Sequence, residues 1–446
     1  VALLTLSGNA VLPDAPADTV EAEAPEVVAL AAGDTVVVPG DGGAVDNAGG
    51  DAEGGPGPAE GGASDAEEPP EPLPEVELSF SGLISATAFA QDQSFGFGNG
   101  QSAIFASDDP QTTDLWFMGG DVRSTRLRFQ ADTRDDVVGW AARGVLEVDF
   151  FGAFTGNGPF NDEQPQPRLR LAYVELAKGG TTIKVGQAWS PYHGLVPASV
   201  THVAFPLGLA AAGRLGWRFP GLFLTQRLVS SGPVKLSGQL AAFRGSWCAA
   251  ALKDPGQVTN HMSPGEAGTP QVEARLDASG ALGDLDWRAY LVGHLDRKDL
   301  SGVGERYDED DELVGQGVQL GARLDRGPWT LQGNGHVGRA MGQQFAALAQ
   351  FGDIGSHGAW AQVGYDLTST LGLWIFRGFE DPVDGDVLAS DNARLHNSST
   401  AASVIWDVGP YRAGLEWLTS TTEWAAEPHA EKYRAQQISF SVLYSF

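Results

Sequence analysis

The chain has 446 residues, 57 acidic side chains against 28 basic ones, and a single cysteine. A net charge of −29 argues against nucleic acid, whose binding needs a surplus of Lys and Arg on some face. The lone Cys248 excludes a disulfide framework and a thiolate zinc cluster, and it reads as a small free hydrophobe.

In chain order, residues 1–75 come first as a unit of their own. They hold 16 Asp and Glu, 12 Gly and 10 Pro, with no Lys or Arg. Stretches such as 41–58 and 64–74 cannot bury enough apolar surface to offset their ordering entropy. The expectation is an acidic, mostly disordered tail or linker. Residues 1–10 are apolar and end in small residues but lack a basic n-region. They read either as the remnant of a signal peptide cleaved near Ala10 or as a short strand.

From Val76 onward the dominant period is two. Arg126, Arg128, Gln130 and Asp132 alternate with Leu127, Phe129 and Ala131. Leu146 and Val148 oppose Glu147 and Asp149; Leu291 and Leu295 oppose Tyr290 and His294. At the end, Ile438, Phe440, Val442, Tyr444 and Phe446 alternate with Gln437, Ser439, Ser441 and Ser445. Sixteen candidate strands follow, near 76–90, 121–132, 138–150, 168–177, 181–190, 213–229, 234–244, 270–280, 285–296, 314–325, 329–338, 357–367, 371–380, 399–408, 411–421 and 436–446. Most are about ten residues or a little longer, the length of a tilted strand that crosses a bilayer. No run of 18 apolar residues occurs, so a transmembrane helix is not expected.

The connections alternate between short and long. Those at 133–137, 178–180, 230–233, 281–284, 326–328, 368–370 and 409–410 are short; those at 91–120, 151–167, 191–212, 245–269, 297–313, 339–356, 381–398 and 422–435 are long. Outer-membrane barrels sort their loops this way, with short periplasmic turns and long outer loops. The reading is therefore an all-β protein, a 16-stranded antiparallel transmembrane β-barrel over 76–446 with short periplasmic turns and long extracellular loops. An even strand number puts both termini in the periplasm. Trp140, Trp189, Trp217, Trp329 and Trp417 lie near strand ends and suit interfacial girdles.

The segment Leu146-Glu-Val-Asp-Phe-Phe-Gly152 resembles the Glu-x-Asp-Phe-Phe-Gly segment of DcaP-like outer-membrane porins. So do Arg168-Leu-Arg-Leu-Ala-Tyr173 and Gly186-Gln-Ala-Trp-Ser190, and Ser124-Thr-Arg-Leu-Arg-Phe129 matches that family's first down-strand in type. The resemblance is concentrated in 121–190. It implies a trimeric sixteen-stranded channel in the bacterial outer membrane, without cofactor or enzymatic activity. Family members often carry a helical coiled-coil segment before the barrel, whereas residues 1–75 are too rich in Pro and Gly to form one.

Of the 28 basic residues only six are lysine. Parity directs Arg126, Arg128, Arg168, Arg170, Lys184, Arg214, Arg218, Arg275, Arg288, Arg323 and Arg412 toward the lumen. Guanidinium forks there suit a selectivity ladder for small organic anions such as dicarboxylates. The alternative is that they pair with Glu147, Asp149, Glu273, Asp277 and Glu416 and merely solvate the lumen. The 191–212 connection is largely apolar and carries Tyr192, His193 and His202. It is expected to fold inward as a constriction, or else to pack at a subunit contact. The run Asp308-Glu-Asp-Asp-Glu312 lacks the Gly turn and spacing of an EF-hand loop and reads as a solvated outer loop. Eight scattered histidines form no metal or nucleophile motif. The expected function is passive diffusion of small hydrophilic solutes across the outer membrane. The competing expectation is a plugged barrel serving as a structural or surface-interaction protein.

Overall fold

The computed structural model describes residues 36–38, 75–96, 98–108, 116–133, 138–152, 165–203, 209–244, 270–299, 312–341, 344, 347–349, 352–390 and 392–446. Cys248, residues 1–10, most of the acidic tail and 308–311 of the acidic run lie outside them.

Sixteen strands close into one barrel. They are β1 (Val76–Gln91), β2 (in two pieces, Phe117–Asp121 and Arg126–Thr133), β3 (Ala141–Asp149), β4 (Arg168–Lys178), β5 (Thr181–Trp189), β6 (Arg218–Val229), β7 (Val234–Phe243) and β8 (Gln271–Leu282). Then follow β9 (Leu285–Asp299), β10 (Glu312–Arg326), β11 (Trp329–Arg339), β12 (Gly355–Asp366), β13 (Leu371–Pro382), β14 (Arg394–Val408), β15 (Tyr411–Trp424) and β16 (Glu431–Ser445). Each strand pairs antiparallel with the next, and β16 returns to β1 in the register Phe440 to Ala88. Closure leaves no long unpaired edge, which is how an all-β sheet satisfies its backbone in an apolar medium. A three-residue segment, Val36–Val38, pairs with Val76–Leu78, where β1 runs past the last residue of β16.

Alternation sets the two faces. Leu291, Leu320, Ile375, Ile438 and Phe440 point outward and are exposed, while Gln319, Gln332, Gln437, Ser439 and Ser441 are buried inside. That is the reverse of a water-soluble barrel and the pattern of a lipid-facing band. Tight turns close one end; Gly327 and Gly409 take φ of 54° and 56°, the left-handed geometry that two-residue hairpins need.

Strand bounds differ from the sequence reading in three ways. β14 and β16 start five residues earlier than expected, so the last long connection shrinks to 425–430 and is shorter than the 134–140 turn. β2 breaks at 122–125, where Asp121 turns back to accept from the Arg123 side chain. β6 begins at Arg218, not at 213, so Arg214 belongs to a loop and its strand parity does not apply. A short helix, α1 (Asp384–Ala389), fills part of the connection after β13.

Candidate functional site

After Trp189 the chain leaves the wall and runs inside the barrel. Residues 190–203 lie within the lumen, and 209–217 return to β6. Tyr192, Leu195, Val200, Leu209 and Leu215 are buried, so removing these side chains from water drives the loop inward. Its backbone groups then need partners, and the wall supplies them. The Tyr192 N–H donates to Glu273 Oε2 at 2.7 Å, and Gln332 Nε2 donates to the Val196 carbonyl at 3.2 Å. Gln362 makes two hydrogen bonds with Ala198, accepting from its N–H at 2.7 Å and donating to its carbonyl at 2.8 Å. Ser199 Oγ donates to Glu416 Oε2 at 2.7 Å, Thr201 and Ser439 share a hydroxyl bond of 2.6 Å, and Arg126 Nη2 donates to the Val203 carbonyl at 3.2 Å. The segment thus tracks the wall from β8 through β16 to β2. On the return, Asn397 Nδ2 donates to the Ala211 carbonyl at 2.7 Å.

Two other connections also enter. Gln101 donates to Ser85 and Thr87 of β1 and accepts from the Ser124 N–H. Leu348 donates its N–H to Glu380 and accepts from Arg394. The stretch Ala103-Ile-Phe-Ala106 carries the same apolar signal that singles out 191–212, so this loop was legible by the same argument.

Two groups of arginines stand inside, apart from the acids Glu273, Glu380 and Glu416 that hold the inward loops. On β2–β4, Arg126, Arg128, Arg168 and Arg170 gather around Glu147 and Asp149. Arg168 forks onto Asp149 at 2.6 and 2.9 Å; Arg126 and Arg128 approach Glu147 at 3.7 and 3.6 Å. A bulge opposite Glu147 and Val148 leaves Arg170 as the extra residue of β4 and turns Leu171 and Tyr173 inward after it. Next to this group, Arg218 lies over both Trp189 and Trp217, at 5.1 and 5.0 Å. Those two tryptophans are therefore interior residues and not girdle residues, because Trp189 ends its strand and Trp217 precedes the next. Trp329 and Trp417 do face outward.

The second group lines a cavity of about 2030 Å³ that reaches from the short turns to the underside of the inward loop. Eight basic side chains border it (Arg126, Lys184, Arg227, Lys235, Arg275, Arg288, Arg323 and Arg412) against three acids, Asp277, Asp366 and Asp407. Arg275 forks onto Asp277, donates to the Pro191 and His193 carbonyls at 3.1 Å each, and stacks 4.0 Å above the Tyr290 ring. Arg323 pairs with Asp325, Arg412 with Asp407, and Lys184 with Glu175. Leu171, Tyr173, Ala188 and Phe223 give the same cavity an apolar flank.

Of the sequence-derived residues, Arg126, Lys184, Arg275, Arg288, Arg323, Arg412, His193 and His202 border this cavity. Arg128, Arg168, Arg170, Arg214 and Arg218 do not; Arg170 is fully buried in its ion pairs, and Arg214 packs 3.3 Å from His193 Nδ1 inside the loop. Tyr192 is buried beneath the loop, against His294. His202 Nε2 lies 3.4 Å from Glu416 Oε1. Sequence reasoning missed Tyr290 and Lys235, which inward parity marks, and Arg227, which the parity that directed Arg218 inward places on the opposite face.

Neither a protein-family model nor a curated protein matches the chain. Solved structures do. The outer membrane channel DcaP of Acinetobacter baumannii superposes with a TM-score of 0.63 at 16% identity, covering 83% of this chain and 97% of that one. The anion-selective porin from Comamonas acidovorans superposes with a TM-score of 0.50 at 11% identity, covering 83% and 100%. The fold is that of outer-membrane channel barrels.

Proposed function

We propose that this chain is an outer-membrane porin that passes small hydrophilic solutes by diffusion and favours organic anions such as dicarboxylates. The observation that carries this reading is the charge of the cavity wall among the described residues, eight basic groups against three lining acids and the two further carboxylates, Asp325 and Glu175, that pair with them, in a chain whose net charge is −29. Permeation responds to the field in the narrow section, and charges beyond roughly 8 Å are screened at physiological salt. An anion entering from the turn side meets guanidinium forks already oriented by Asp277, Asp325 and Asp407. These pairs hold the arginines in place without cancelling the surplus, and carboxylates exchange between neighbouring forks. The fold shared with an anion-selective porin supports the same preference.

In this reading the long loops face outward, both barrel ends of the chain lie in the periplasm, and the small outward residues Gly82, Ala86 and Ala88 of β1 pack against a neighbouring subunit in a trimer. A detergent-corrected mass of one chain would remove the trimer. Planar-bilayer recording tests the channel itself. Stepwise conductance with a reversal potential favouring chloride over potassium is expected. The plugged-barrel reading draws on one observation, that three connections fill the long-loop half of the barrel. Absence of conductance from folded protein would favour it.

A further inference from the structure

Two arginines on the outer face of the barrel differ from the other outward ones. Arg377 on β13 and Arg434 on β16 are exposed, and neither has a carboxylate within 4.0 Å among the described residues. By contrast Arg297 pairs with Glu312, Arg326 with Asp284, and Arg339 with Asp353 and Asp386. Hydroxyl and amide groups hold the two in place. Arg377 Nη1 donates to Thr400 Oγ1 at 2.7 Å; Arg434 donates to Thr419 Oγ1 at 3.2 Å and to Gln436 Oε1 at 3.3 Å.

Register places them on one patch. Arg377, Thr400, Thr419 and Gln436 form one row across β13–β16, and Ser398, Thr421 and Arg434 lie in the next row toward the long loops. One row toward the turns, the face changes to Ile375, Ala402, Trp417 and Ile438, then to Leu373, Val404, Leu415 and Phe440. The polar rows therefore begin directly where the apolar band ends, on the long-loop side. Elsewhere on the same rim Val272, Leu295, Val318 and Val337 are exposed, and the outward arginines there, Arg297 and Arg339, are paired with acids. Charged groups are tolerated on a barrel's lipid face at the interface and penalised at the midplane.

We propose that this patch binds the phosphate groups of a phosphorylated glycolipid in the outer leaflet. Guanidinium forks match phosphate oxygens in pairs, and the Thr and Ser hydroxyls between them add neutral donors. Their strands are three spacings apart, but both guanidiniums lean onto the directly opposed Thr400 and Thr419, so the two forks converge on one site that suits the phosphates of a single head group. The apolar rows below receive the acyl chains. This rests on the membrane orientation proposed above.

Native mass spectrometry of the full chain in detergent tests it, with diphosphoryl lipid A, monophosphoryl lipid A and a neutral glycolipid as probes. The wild type should retain the diphosphoryl lipid best, the monophosphoryl form several-fold less, and the neutral glycolipid least. Arg377→Gln/Arg434→Gln should weaken retention about tenfold, the Lys pair should keep most of it, and Arg326→Gln at the opposite rim should leave it unchanged. Equal retention by the Gln pair or of the neutral glycolipid, or equal loss in Arg326→Gln, overturns the proposal. So does a change of oligomer mass in the Gln pair, which would make the patch a subunit contact. Bilayer conductance of the same samples separates the two readings. Lost lipid retention with conductance intact removes only the lipid site, and absent conductance with lipid retained removes only the porin.

Discussion

Arg170 donates from Nε to Oε1 of Glu147 at 2.7 Å, with both side chains shut off from water. Its Nη1 reaches Asp149 Oδ2 at the same distance. Buried charges persist only when paired and hydrogen-bonded, because desolvation costs several kcal/mol per ion. These two carboxylates thus anchor the arginines of β2 and β4, and among the described residues four guanidiniums gather over two carboxylates on that wall.

Replacing Arg126, Arg128, Arg168 and Arg170 together by Ser should strip the wall of those four guanidiniums. The reversal potential is expected to move toward potassium, and block by dicarboxylates should weaken. Arg170→Ser alone should cost about 3–5 kcal/mol of stability, since it strips a partner from buried Glu147 and Asp149. Heat-dependent gel mobility reads the second effect. An unchanged potassium-to-chloride ratio in the quadruple variant would make the cluster purely structural.

His202, in the inward loop, gives a pH dependence. Burial pushes its ring from the ordinary 6.5 down to about 4, against the pull of the Gln101 carbonyl and Asp121. Above pH 6.5 the ring is neutral in both states and costs nothing. Between 6.5 and 4 the unfolded chain takes the proton first, so the folded state loses stability, by on the order of 3 kcal/mol in all. Protection factors of residues 194–203, taken against the intrinsic amide rate at each pH, should therefore fall as pH falls through that window, and His202→Gln should flatten the fall. Constant protection between pH 7 and 4 contradicts it.

Gly213 sits at φ 92°, and a Cβ there would lie 2.4–2.5 Å from the Ala359 backbone. Gly213→Ala should cost about 1–3 kcal/mol by strain and by lifting the return limb off β12. Gly385 in α1 has open space around it, so Gly385→Ala should be neutral or slightly stabilising. Thermal unfolding compares the two. Equal midpoints would show that the limb is not held tightly.

Deletion of residues 11–70 should leave barrel insertion intact. The stretch has no aromatic residue, and its described contribution is the pairing of Val36–Val38 to the end of β1. Heat-modifiable mobility of the truncated chain should match the full one. Failure to insert would make the segment part of the fold.

Alternation was enough to read sixteen strands, the apolar outer face and the inward parity of Arg275, Arg288 and Arg323, because a period of two assigns faces without knowing neighbours. The apolar composition of 191–212 likewise announced an inward loop. Three matters waited for the tertiary structure. The bulge that seals Arg170 depends on register between β3 and β4, which face parity leaves open. Arg214, Trp189 and Trp217 changed place because a strand's end is decided by where the chain finds its next partners. And the loop's seat rests on pairs such as Ser199 with Glu416, 217 residues apart in sequence. Local pattern says which way a side chain points; only the closed barrel says what it meets there.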